Sequence, residues 1–196
     1  MLLSAPTATE LLHAQSQISK PFNLWFDCGG GYSRNISPGV AATASSGGDY
    51  TNGGFIGLLR LRGSKNTFIS IGLETGWLRL SSVSQQNVQT NGYGSTDITA
   101  SLSAIPAMAV ITLQDYDIQL HGSAGLYRLL STATLFGSTV SSSEWDMAFT
   151  LAVDYEFLLP NDFEINPEFR WTRINDQQKS FLSLMIRVQF PAWQPF

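Results

Sequence analysis

From Phe22 onward the chain alternates apolar and polar residues in eight separate segments. A period of two commits each segment to a strand whose two faces meet unlike surroundings. Phe22 to Tyr32 sets Phe22, Leu24, Phe26, Cys28 and Tyr32 against Asn23, Trp25 and Asp27, and Gly53 to Leu61 sets Phe55, Leu59 and Leu61 against Ile56, Leu58 and Arg60. Thr67 to Trp77 follows, then Asp97 to Leu113, whose phase is ambiguous around Ile105-Pro106. The second half is more regular: Ile118 to Leu126, Trp145 to Phe157, Phe163 to Trp171 and Leu182 to Phe190. A tilted strand of roughly 9–11 residues crosses a bilayer, and these segments are near that length.

The connections differ by end. Those after the second, fourth and sixth segments (62–66, 114–117 and 158–162) are short and rich in turn residues. Those after the first, third and fifth (Ser37 to Asn52, Ser81 to Ser95, Ser131 to Ser143) are long and rich in Ser, Gly, Thr and Ala; the one after the seventh, Ile174 to Lys179, is shorter. The expected fold is all-β: an eight-stranded antiparallel up-and-down transmembrane β-barrel, with short periplasmic turns and longer extracellular loops. The barrel covers 22–190, after an N-terminal extension at 1–21 and before a C-terminal tail at 191–196. The extension has neither a basic n-region nor an unbroken apolar stretch, so it reads as flexible or as a short helix rather than as a secretory signal.

Alternation alone also suits a soluble lipocalin-like ligand-binding barrel with the opposite face outward. Charge and aromatic placement separate the two. Only 13% of the 196 residues are charged against 43% hydrophobic, where a soluble domain is roughly a quarter charged. Aromatics on the apolar face gather at segment ends, as interface girdles do: Phe22, Tyr32, Trp77, Trp145, Tyr155, Phe157, Phe163, Trp171 and Phe190. The opposite face carries charges in mid-strand: Asp27, Arg60, Glu74, His121, Asp154, Glu156, Glu164, Glu168, Arg170 and Arg187. Eight strands leave a lumen that side chains fill, so these groups are expected to form a salt-bridged network with some trapped water rather than a wide channel. A narrow small-solute channel remains the first alternative.

On the first, third, fifth and seventh strands the apolar parity continues one step and lands on arginine: Arg34, Arg79, Arg128 and Arg173. With both termini periplasmic, these four lie at the outer headgroup level facing outward. Guanidinium binds phosphate bidentately, so they are candidates for a ring on lipopolysaccharide phosphates; the plainer reading is snorkelling at the interface.

Lipid A-modifying chemistry on the same fold would need a nucleophile within reach of a base at the membrane rim. His121 is one of two histidines, and a luminal hydrogen-bonding role is the expectation. Gly29-Gly30-Gly31 precedes no helix and is not a phosphate loop. No catalytic residue, metal-ligand set or cofactor is expected, and a net charge of −4 with no basic patch gives no reason to expect nucleic acid.

Ile105-Pro106-Ala107, the small-residue strand Gly122-Ser123-Ala124-Gly125-Leu126-Tyr127, Asn166-Pro167-Glu168-Phe169-Arg170 and the closing alternation of 182–190 resemble the small eight-stranded outer-membrane barrels. That family includes OmpA-type transmembrane domains, OmpX-like and opacity-type proteins, and the resemblance covers about 22–190. It implies a bacterial outer-membrane location and contacts with lipid and lipopolysaccharide. It also implies a C-terminal signal read by the barrel-insertion machinery, carried by Leu184, Ile186 and Val188 and closed by Phe190 or Phe196. The implied role is non-enzymatic: envelope structure, or adhesion to a host or surface ligand through the loops.

Overall fold

The computed structural model describes residues 22–37, 49–65, 68–90, 94–159, 163–175 and 178–193. Eight long strands follow one another: β1 (Asn23–Asn35), β2 (Gly53–Ser64), β3 (Ile69–Thr90), β4 (Gly94–Asp115), β5 (Ile118–Leu135), β6 (Ser138–Tyr155), β7 (Glu164–Ile174) and β8 (Lys179–Trp193). Each pairs antiparallel with its sequence neighbour, and β8 returns to β1 with Tyr32 opposite Leu184 and Asp27 opposite Gln189. Closure leaves no free strand edge within the ring, the condition for a sheet to cross a bilayer.

The alternating pattern sorts the side chains by face. Asp27, Arg60, Glu74, His121, Asp154, Glu168, Arg170 and Arg187 are buried inside the ring, while Leu73 (68% exposed), Leu184 (67%), Phe149 and Leu151 face outward. An apolar exterior around an ionic interior is the reverse of a soluble barrel.

Four sequence expectations need correction. The segments 81–95 and 131–143 are strand rather than loop for most of their length. β3 and β4 run as one hairpin to Thr90 and Gly94, and β5 and β6 to Leu135 and Ser138. Alternation marks a strand only while its two faces differ; above the bilayer both meet water, and Ser and Thr occupy both. The second hairpin is closed by Phe136 (φ 51°) and Gly137 (φ 73°), the left-handed pair of a two-residue turn.

The second correction is Arg62, assigned above to a turn; it lies in β2 and faces inward. The ambiguous fourth segment resolves with Ala104, Pro106, Met108, Val110 and Thr112 inside. Its alternation faded because apolar residues stand on both faces there. Finally, the tail expected from 191 begins later, since β8 continues to Trp193. Pro191 fits because it sits opposite Trp25 at a register shift, where a missing N–H is tolerated. The extension at 1–21 and Phe196 lie outside the described residues.

The interior has two layers. Nearest the short turns it is polar and ionic. Towards the tall hairpins, Ile56, Leu58, Leu78, Leu80, Met108, Tyr127, Leu129, Phe181 and Met185 form a continuous apolar cluster.

Candidate functional site

Glu74 lies at the centre of the ionic layer. Its Oε1 accepts from Arg170 Nη1 (2.6 Å), and its Oε2 accepts from Arg170 Nη2 (2.7 Å), Arg60 Nη2 (2.6 Å) and Arg60 Nε (2.9 Å). Arg170 Nε donates to Glu168 Oε1 at 2.7 Å, and Arg187 bridges Asp27 (2.9 Å), Glu168 (2.7 Å) and Asp154. Arg62 Nε lies 2.9 Å from Asp27 Oδ2, and its Nη1 donates to Gln119 at 2.9 Å. Every one of these side chains is almost wholly buried, which is tolerable only because each charge has partners of opposite sign and further hydrogen bonds. Gly29 makes room for this: a Cβ there would come within 2.6 Å of the Arg187 stem that crosses β1.

His121 Nδ1 is 2.7 Å from Thr112 Oγ1 and 3.2 Å from Arg60 Nη1, and its Nε2 is 2.7 Å from Asp154 Oδ2. Thr112, His121 and Asp154 are thus aligned like a hydroxyl nucleophile, a base and an orienting acid. Thr112 is buried and the apolar layer closes the lumen beyond it, so no substrate surface reaches that hydroxyl. His121, Asp154 and Glu168 also bring ligand-type atoms within 4.8 Å of one another. The guanidinium of Arg187 already occupies that position, contacting Asp154, Glu168 and His121 Nε2 (3.0 Å).

Of the remaining inward candidates, Glu156 is half-buried and Glu164 buried, both at the short-turn end. Glu156 Oε2 accepts from Gln114 Nε2 (2.7 Å) and Gln119 Nε2 (3.0 Å). Sequence reasoning missed Arg62 and the apolar layer, and it set Gln119 on the polar face beside His121 without naming it in the network. Ile56 and Leu58, sharing a face with Arg60, were the available sign of that layer.

The outward candidates separate by end. Phe22, Tyr155, Phe157 and Phe163 are exposed near the short turns, where Tyr155 packs on Phe157 (4.8 Å between centroids) and the half-buried Phe190 lies 6.0 Å from Phe163. Tyr32, Trp77 and Trp145 are exposed towards the opposite end, with Trp171 half-buried. Arg34, Arg79, Arg128 and Arg173 are all exposed, one on each of β1, β3, β5 and β7. In the closing strand Leu184 and Ile186 are exposed and Val188 half-buried. Within the outer mouth a cavity of about 390 Å³ lies over Leu102 and Leu129, walled by Ser81, Ser131, Ser142, Glu144 and Lys179. Burial there holds the Lys179 ammonium below its ordinary value, and the charge of Glu144 opposes the shift.

A closed antiparallel ring of eight strands, apolar outside and ion-paired inside, defines a transmembrane β-barrel of the outer-membrane type. The chain is similar in structure to Ail, the attachment invasion locus protein of Yersinia pestis, crystallised with the heparin analogue sucrose octasulfate. The identity is 12%, over 86% of this chain and 99% of that one, with a TM-score of 0.53. It is also similar to Neisserial surface protein A, with 9% identity over 87% of this chain and 98% of that one and a TM-score of 0.52. No protein-family model and no curated protein sequence matches the chain.

Proposed function

We propose that the protein is a non-enzymatic surface-interaction barrel of the bacterial outer membrane that offers a free strand edge to an extended segment of another protein. The unpaired edge of β6 carries this reading. β3, β4, β5 and β6 continue past the outer aromatics as a four-stranded sheet, and β7 pairs with β6 only from Ala148 downward. Among the described residues, no strand pairs with Ser138–Ser143 on the side away from β5. Met147 O accepts from Asn175 N on that side. By the alternation of an antiparallel ladder, Thr139, Ser141 and Ser143 therefore aim their N–H and C=O groups the same way.

The two edges of this sheet differ. The β3 edge carries register shifts between Arg79/Ser81 and Gln85/Val88, and Asp49–Thr51 pairs along it. The β6 edge keeps an unbroken register, and Ser138–Ser143 contains no Pro, Lys or Arg. Bulges, cations and prolines are the usual devices that block added strands, and their absence suits strand addition.

A peptide copying Arg128–Leu135, which already pairs with β6 on its other side, is a suitable probe. It is expected to bind the protein in nanodiscs. Ser141→Pro removes one edge-facing N–H without touching the β5 ladder and is expected to weaken binding roughly tenfold or more, whereas Ser141→Ala leaves it unchanged. Equal binding by Ser141→Pro in polarisation titrations refutes the reading. The polyanion seen with Ail is not the ligand this surface suits: beyond the rim arginines the described hairpins carry Asp49, Asp97 and Glu144 against Lys179.

The rim arginines support a second contact, with lipopolysaccharide phosphates. Replacing Arg34, Arg79, Arg128 and Arg173 together by Gln is expected to reduce partitioning into lipopolysaccharide-containing vesicles by about 1 kcal/mol per arginine. Unchanged partitioning dismisses that role.

A further inference from the structure

The outer mouth of the barrel ends in a closed floor. Leu80 and Leu129 belong to the apolar layer, Leu102 packs against it, and the cavity of about 390 Å³ opens above them. Strand register assembles its walls. Leu102 stands opposite Ser81 on β3 and Ser131 on β5, Leu129 opposite Glu144 on β6, and Ser131 opposite Ser142. Directly paired residues project to the same side of a sheet, so these side chains share the inner face with the two leucines. The register shift between Arg79 and Ser81 adds one residue to β3, which brings Ser81 to the lumen side immediately after the buried Leu80.

Lys179, the first residue of β8, completes the lining. It stands opposite Ile174, the last residue of β7, so the cavity is flanked there by the place where β7 stops. Among the described residues, Lys179 and Glu144 are the two charges of the lining, one of each sign, and the charge of Glu144 favours the Lys179 ammonium. Asp146, one inward step deeper on β6, is buried and does not line the cavity. The walls thus combine a carboxylate, an ammonium and serine hydroxyls over an apolar floor. Small-molecule pockets of roughly 300–1,000 Å³ have this character, with a few polar groups orienting a ligand on apolar surface. A solute with a single charge meets one like charge here, and an apolar solute leaves both charges desolvated and unanswered. A neutral polyol answers them only with neutral dipoles, whereas charge-assisted hydrogen bonds between two ionised groups are stronger.

We propose that this outer vestibule binds a small zwitterion, an α-amino acid with an apolar side chain. Its carboxylate is held by Lys179, its ammonium by Glu144, and its side chain rests on Leu102 and Leu129. The site captures its ligand without passing it on, because the apolar layer and the ionic network fill the lumen below. It does not rest on the strand-edge reading: it uses the inward side chains of β6, not the edge-facing backbone groups of Thr139, Ser141 and Ser143.

Calorimetry on the full chain in phosphatidylcholine nanodiscs tests the site with L-leucine as the probe, and saturable binding is expected. Leucinamide lacks the carboxylate, N-acetylleucine the ammonium and glycine the side chain; each is expected to bind the wild type roughly tenfold or more weakly than leucine. Lys179→Met and Glu144→Gln, each verified by its heat-modifiable gel shift, are expected to bind leucine about tenfold more weakly. Each variant also loses one discrimination: Lys179→Met binds leucine and leucinamide alike, and Glu144→Gln binds leucine and N-acetylleucine alike. Lys65→Gln, which removes a cation at the short-turn end, is expected to bind as wild type. The analogue series on the wild type decides the matter even where a variant fails to fold. Absence of saturable heat up to about 10 mM leucine, analogues that bind as tightly as leucine, or variants that keep the full discrimination would each overturn the site.

Discussion

Glu74→Gln is expected to lower the unfolding free energy by about 3–5 kcal/mol, the usual cost of removing one partner from a buried ion network. Glu74 accepts four hydrogen bonds, two from each of Arg60 and Arg170. Glutamine keeps the shape but offers one acceptor oxygen, and its amide nitrogen faces guanidinium donors. Arg170 retains Glu168, while Arg60 falls back on a 3.4 Å contact with Glu168 and one of 3.9 Å with Asp27. Two cations therefore remain at full burial with less than their balance of negative charge. Urea titration in detergent micelles measures the loss as a lower midpoint; a midpoint within error of wild type refutes the central place given to Glu74. The variant still inserts, because the outward face is untouched.

Leu73→Arg is expected to cost about 2–4 kcal/mol, the penalty for a cation facing lipid at mid-membrane depth. Leu73 is 68% exposed on β3, midway between Ile69 and Trp77, with Ile71 exposed beside it. On a soluble protein, arginine at so exposed a position would change stability by no more than about 0.5 kcal/mol. The same substitution thus separates the two kinds of barrel that alternation alone permits. Reversible refolding into phospholipid vesicles supplies the number, and a neutral effect there contradicts the outward lipid face. Lys65, exposed at the end of β2 among turn residues, shows where a cation is already accommodated without entering the apolar belt.

The positions readable in advance were those governed by local parity. Asp27, Arg60, Glu74, His121, Asp154 and Arg187 each alternate with apolar neighbours, so a buried strand had to place them together on one side. Arg62 escaped because Gly63, Ser64, Lys65 and Asn66 beside it read as a turn, although β2 continues through Ser64. The apolar layer escaped because Leu78, Met108 and Tyr127 stand on the inward face with apolar outward residues beside them (Trp77, Ala107 and Ala109, Leu126), which erases the contrast. The height of the hairpins was hidden for the opposite reason: with water on both sides, serine and threonine fill both faces of Ser138–Ser143.

What the sequence by itself determined was the number of crossing strands and the face that meets lipid, since both follow from a two-residue repeat within a single segment. What only the tertiary structure decided was which luminal charges meet. Glu74 and Arg170 lie 96 residues apart, and their contact depends on the register of several intervening pairings and on closure of β8 against β1. That same closure brings four arginines into contact with four acids, while β7 ends short of the upper part of β6. Parity is a property of one strand; charge balance and an open edge are properties of the closed ring.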